Sequence, residues 1–187
     1  RGRTLHVLNM TPTLATITLD DAPPFQVHSG GRIEVPIAEG DHVAVVERLG
    51  RRSEVQVPVH TSWLGRLAAR PLFVLDVEGA APLIVETALY GEGEAEPLPA
   101  RVLFGAPFVA LEDVDIAFGP FPQQVEGGER ELRRTRVDVL PGEPADALAH
   151  FPLATPRGRR LEWAERRLGI DPTDEVLLAT YRDLLGS

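Results

Sequence analysis

Apolar and polar residues alternate in several short runs over the first sixty positions. Ile33, Val35 and Ile37 are separated by Glu34 and Pro36, and Val55, Val57 and Val59 by Gln56 and Pro58. Successive side chains of an extended chain point to opposite faces, so each run presents one apolar face. Ala15, Ile17 and Leu19, set between Thr16 and Thr18, predict an earlier strand. Leu5 with Val7 predicts one before it, and Val43 with Val45 one after. Asp20-Asp21, Pro23-Pro24, Ser29-Gly30-Gly31, Glu39-Gly40-Asp41 and Gly50 separate these runs and carry turn chemistry. Short strands at intervals of roughly ten residues predict an antiparallel sandwich. Segments 31–37 and 42–59 are expected to share one sheet of it, with Ile33, Val35, Val55 and Val57 on the buried face.

Thr61 to Arg70 predicts a short helix, with Leu64, Leu67 and Ala68 at helical spacing. Leu72–Val77 and Leu83–Tyr90 predict two strands, Val102–Phe104 a third, and Arg133–Leu140 a last one with Val137 and Val139 facing inward. Pro107 to Pro122 mixes Phe, Pro and Gly, which allows short edge strands or irregular structure. After the Pro141-Gly-Glu-Pro144 turn the period changes. Leu161, Ala164 and Leu168 form one helical stripe, expected to stop at Gly169 as a C-cap. Asp171 as N-cap and Pro172 as first helical residue would open a second helix, with Leu177, Tyr181 and Leu184 on its stripe. The expected fold is mainly β: an antiparallel β-sandwich-like body with a C-terminal α-helical hairpin. The expected division is a β-rich body over 1–140, divisible into modules 1–60 and 61–140, followed by the hairpin over 141–187. Helices this short need packing to persist, so the two stripes are expected to cover the β-body, with Trp163 partly exposed at the rim.

Ala164-Glu-Arg-Arg-Leu168-Gly-Ile-Asp-Pro172-Thr-Asp-Glu resembles the junction between successive tetratricopeptide units over about 160–185. Ala15-Thr-Ile-Thr-Leu19-Asp-Asp, Ile33-Glu-Val-Pro-Ile37, Glu39-Gly40-Asp41-His42-Val43, Gly50 and Val55-Gln-Val57 follow the element order of the PEGA β-modules of bacterial envelope-associated proteins. That second resemblance, over about 12–59, departs from the family at Pro23-Pro24, where its signature turn is absent. It implies a non-catalytic appendage or spacer within a larger bacterial protein. The Arg-Gly-Arg start without Met likewise reads as a segment of a longer chain.

All 19 basic residues are Arg, and 28 acids leave a net charge of -9. That sign repels nucleic acid and anionic membranes, so no nucleic-acid partner is expected. The acids concentrate in 61–126, which holds ten of them against three arginines. No apolar run reaches the ~18 residues of a membrane span. With no Cys there are no disulfides, thiolate zinc sites or Cys nucleophiles.

His6, His28, His42, His60 and His150 show no metal-ligand spacing, and a tetrahedral site needs three or four converging ligands. Glu112-Asp113-Val-Asp115 contains a D-x-D step able to hold a hard cation, though it is equally a common loop pattern. Glu92, Glu94 and Glu96 around Gly91 and Gly93 read as a solvated loop, where the acids would repel a phosphate. None of Ser29, Ser53, Ser62 and Ser187 stands in a nucleophile motif. No catalytic residue, metal ligand or cofactor is assigned. Arg130, Arg133, Arg134 and Arg136, then Arg157, Arg159 and Arg160, cluster in an otherwise acidic chain. They would either dock an acidic partner or pair with the acidic middle segment.

The expected function is a non-catalytic interaction or scaffold domain, with Arg133, Arg134, Arg157, Trp163 and Tyr181 as candidate contacts for a protein partner. One alternative is a ligand- or carbohydrate-binding β-module using Trp63, Phe104, Phe108, Phe118 and Phe121. Another is a hydrolase or metal-dependent enzyme with its site in 105–126.

Overall fold

The computed structural model describes residues 2–61, 71–90, 96–122, 132–152 and 155–186. The expected helix over Thr61–Arg70 falls outside them except for Thr61 itself. Strands β1 (Arg3–Asn9), β2 (Ala15–Leu19), β3 (Phe25–Val27), β4 (Gly31–Ile37), β5 (Gly40–Arg48), β6 (Arg51–Val59) and β7 (Leu72–Asp76) come first. Then follow β8 (Leu83–Tyr90), β9 (Glu96–Pro97), β10 (Arg101–Leu103), β11 (Phe108–Leu111), β12 (Ile116–Ala117) and β13 (Leu132–Val139). Helices α1 (Pro144–Ala149), α2 (Arg157–Ile170) and α3 (Glu175–Gly186) close the order. The protein is mainly β, with its helices at the C-terminal end. The chain forms two compact units. One holds Arg1–Ala81, Gly105–Glu112 and Gly169–Asp171; the other holds Pro82–Phe104, Asp113–Leu168 and Pro172–Ser187.

The first unit has two four-stranded sheets, ordered β3-β2-β5-β6 and β11-β7-β1-β4. Ala15, Ile17, Val46, Val57 and Val59 of one sheet and Leu5, Val7, Phe73 and Leu75 of the other belong to one buried cluster. The period-two reading places side chains well: Val55, Val57 and Val59 are buried while Gln56 and Pro58 are exposed. It misplaces one strand. β4 pairs antiparallel with β1, from Arg3↔Ile37 to Asn9↔Gly31, so 31–37 and 42–59 lie in different sheets. Alternation fixes which side chains face inward, not which strand is the neighbour. As a sheet edge, β4 leaves Ile33 and Val35 only half-buried. Two pairs depart from a fully antiparallel body: β1–β7 in this unit and β12–β13 in the other are parallel.

The turn after β7 binds this unit together. The buried Asp76 carboxylate accepts the Ala80 N–H at 3.1 Å and the Ala81 N–H at 2.9 Å. Gly79 stands at φ +63, and a Cβ there would lie 2.6 Å from the Gly105 backbone. Only glycine meets both demands.

In the second unit β8 and β13 pair antiparallel from Tyr90↔Leu132 to Leu83↔Val139, within a sheet ordered β10-β8-β13-β12. Val137 is fully buried and Val139 half-buried. Trp163, Ala164 and Leu177 are buried with Leu140, Leu148 and Phe151, against Ile84 and Val102 of that sheet and Phe104 just after β10. The helical stripes therefore cover β structure of their own unit. Three details of the hairpin differ from the sequence reading. Trp163 is 1% exposed rather than at a rim, because its ring packs on Phe151 with centroids 5.4 Å apart. Helix α2 runs through Gly169 to Ile170. Helix α3 begins at Glu175, capped by Asp174, whose Oδ1 accepts the Leu177 N–H at 2.9 Å. Asp171 and Pro172 thus lie in the link, because the cap goes to the acid three residues before that N–H. Helix α1 had no counterpart in the sequence reading.

Candidate functional site

The polar residues suited to chemistry are largely engaged within their own units. In the first unit, Asp20 follows β2 and its Oδ2 meets His42 Nδ1 at 2.7 Å, while the Val43 N–H donates to Oδ1 at 2.9 Å. The other ring nitrogen, His42 Nε2, lies 3.0 Å from the Ala38 carbonyl. The Asp20 hydrogen bond raises the His42 pKa above its ordinary value, helped by Ala38 and the nearby Asp41. The bond from Val43 and then that from His42 hold the Asp20 pKa below the usual carboxylate value. His60 and Asp41 form a second, exposed pair at 2.7 Å. With both nitrogens donating, the His42 imidazolium has no lone pair to act as a base. Among the described residues no three His, Asp or Glu side chains converge as a metal would require.

In the second unit, Arg134 Nη1 meets Asp115 at 2.7 Å and Arg136 reaches Glu86 through Nε at 2.8 Å and Nη2. Both carboxylates come from the acidic segment. Arg136 also lies over the Phe121 ring and Arg159 over Phe104. Arg133 is exposed. Arg157 donates to the Leu184 and Leu185 carbonyls at the C-terminal end of α3, where cations are favoured. The Tyr181 hydroxyl donates to Glu165 at 2.7 Å, and Trp163 is core. Of the five expected contacts, Arg133 and Arg157 are exposed, Arg157 while bonded to α3, Arg134 and Tyr181 are half-buried in pairs within the unit, and Trp163 is core. Phe108 stacks on Phe73 in the first unit, with centroids 6.4 Å apart. Phe118 is half-buried, and Trp63 and Arg130 lie outside the described residues.

The most unusual surface is the tip of the β5–β6 hairpin. Arg48 pairs with Arg51 across a two-residue turn of Leu49 and Gly50, at φ 49 and φ 73. Two residues of positive φ suit the right-handed twist of the flanking strands, and Asn-Gly is the preferred sequence. Leucine is a poor choice there, since its Cβ crowds the following carbonyl by about 1–2 kcal/mol. It gains nothing in packing, because Leu49 is 71% exposed. Leu14, itself 40% exposed, joins Leu49 around a concavity of about 410 Å³ that also takes in Thr16, Glu47, Arg51 and Arg52. Arg48 is held beneath by Glu78 and Thr13. Sequence reading took Gly50 as a turn; the signal it passed over was an apolar residue at the tip itself.

A smaller recess of about 240 Å³ lies between the end of β6 and β11, lined by His60, Phe73, Leu111 and Glu112.

No family model, curated protein or solved structure matches this chain. Among the described residues no helix is long and apolar enough to cross a membrane.

Proposed function

We propose that the chain is a non-catalytic interaction domain whose contact surface is the β5–β6 tip. The observation that carries this reading is Leu49: a residue that strains its turn while standing 71% exposed. Strain and apolar exposure at one position concentrate at functional sites, where local rules yield to binding. Leu14 and the concavity beside it extend the apolar contact, and Arg51 with Arg52 supply a polar rim. The engagement of His42, His60 and most of the candidate arginines within the fold supports a non-catalytic reading. So does the PEGA-like strand order of 12–59, whose family members serve as appended modules.

The reading is tested by photocrosslinking from position 49 in cell extract, with the exposed Asp21 as a comparison position. A discrete adduct from 49 that is absent from 21, and that disappears when Leu14 is changed to Asp, is the expected result. Equal labelling from both positions, or an adduct indifferent to Leu14, would remove the tip as the contact surface. A folded domain with turnover in a broad hydrolase screen would remove the non-catalytic reading.

A further inference from the structure

We propose that His42 is a pH-dependent latch joining the turn after β2 to the link between β4 and β5. Its two ring nitrogens face two acceptors, the Asp20 carboxylate at 2.7 Å and the Ala38 carbonyl at 3.0 Å. A neutral imidazole carries one N–H and can satisfy only one of them; the imidazolium satisfies both. The site is therefore built for the charged ring, although the His42 side chain is only 14% exposed.

The turn it holds needs holding. Asp20 stands at φ 50, a left-handed conformation, and is tied to β5 through its own N–H to the Val43 carbonyl and its carboxylate to the Val43 N–H. The remaining charged groups reinforce the imidazolium. Asp41 precedes it on β5 and raises its pKa through its field, while Asp41 itself meets His60 at 2.7 Å. In the link, Glu39 is taken by Arg3, whose Nε and Nη2 donate to Oε1 at 3.0 and 2.7 Å.

Loss of the ring proton removes one of the two donors. The carboxylate is the stronger acceptor and keeps the remaining N–H, so the Ala38 carbonyl is released. Below the ordinary histidine value the latch is fully closed. It opens as pH rises through the elevated value of His42 in the fold. The latch lies at the end of the β3-β2-β5-β6 sheet opposite to Leu49, since Asp20 follows β2 and His42 begins β5.

The test is an ¹⁵N NMR titration of the full chain between pH 5 and pH 9.5, with the Asp20→Asn variant as reference. His42 should keep both ring nitrogens protonated to a higher pH in the native chain, with its midpoint falling in Asp20→Asn. Across that midpoint, protection of the Ala22 and Gly40 amides, corrected for intrinsic exchange, should fall at least about threefold. His42→Gln should abolish the pH dependence of the protection. A His42 midpoint unchanged by Asp20→Asn would overturn the proposal. So would a high midpoint crossed with no change in protection.

Discussion

The guanidinium of Arg48 and the carboxylate of Glu78 meet as two forks, Nε to Oε1 at 2.8 Å and Nη2 to Oε2 at 2.7 Å. The Arg48 side chain is 4% exposed and that of Glu78 27%. Removing one partner of a buried pair leaves the other charge uncompensated, which costs about 3 kcal/mol or more. Glu78→Ala should lose stability on that scale in urea unfolding. Glu78 also stands at φ 60, so Glu78→Gly should lose less than Glu78→Ala by about 1 kcal/mol. Equal losses would mean that the backbone conformation carries no cost.

The tip predicts a gain. Leu49→Asn replaces a strained residue by one that tolerates φ > 0, and should raise stability by about 1 kcal/mol. Thermal unfolding is the measurement. A drop would show that Leu49 makes contacts within the fold.

His6 supplies a pH dependence opposite in sign to that of His42. Burial lowers its pKa, partly offset by Glu34 and reinforced by Arg32. The unfolded chain then binds the proton more readily than the folded one. Stability is complete above the ordinary value near 6.5 and falls as pH drops below it toward the depressed value. His6→Gln should flatten that acid-side decline in urea midpoints measured from pH 8 to pH 5. An unchanged slope would assign the decline to other groups.

Val57 is fully buried and Gln56 exposed on the same strand. Val57→Asp should unfold or severely destabilise the first unit, since an unpaired carboxylate cannot be buried. Gln56→Asp should shift the melting temperature little.

On α3, Leu177 is fully buried and its neighbour Val176 is 68% exposed. Leu177→Ala should cost about 2–5 kcal/mol and Val176→Ala under about 0.5. Similar losses at both sites would contradict the packing of the hairpin on its sheet.

Local pattern was enough to place β2 at Ala15–Leu19 and β8 at Leu83–Tyr90, because turn residues bracket each apolar run. It was not enough for sheet membership. β4 pairs with β1, and β1 with β7 in parallel, and both choices depend on closing long loops that no short window encodes. Helix α1 was hidden because Pro144 reads equally as the end of a turn and as the first residue of a helix. Of the candidate contacts, Arg134 was open to an internal reading from charge balance alone, and it pairs with Asp115 of the acidic segment. Trp163 could not be placed by its stripe alone, since it flanks Ala164 and the buried arc of α2 reaches both. Leu49 was legible in principle: a leucine before a hairpin glycine breaks turn preference.

Strand β11 completes the first unit, pairing with β7 from Phe108↔Leu75 to Leu111↔Leu72, although residues 82–104 between them belong to the second. During synthesis, the ribosome delivers β7 about thirty residues before its outer neighbour. Until then β7 offers bare N–H and C=O groups along one side, and Phe73 lacks the ring that stacks on it. The interval is a window for mispairing, which a chain with contiguous domains would not have. A boundary drawn after Ala81 would make that window permanent, so no single cut in sequence divides the two units.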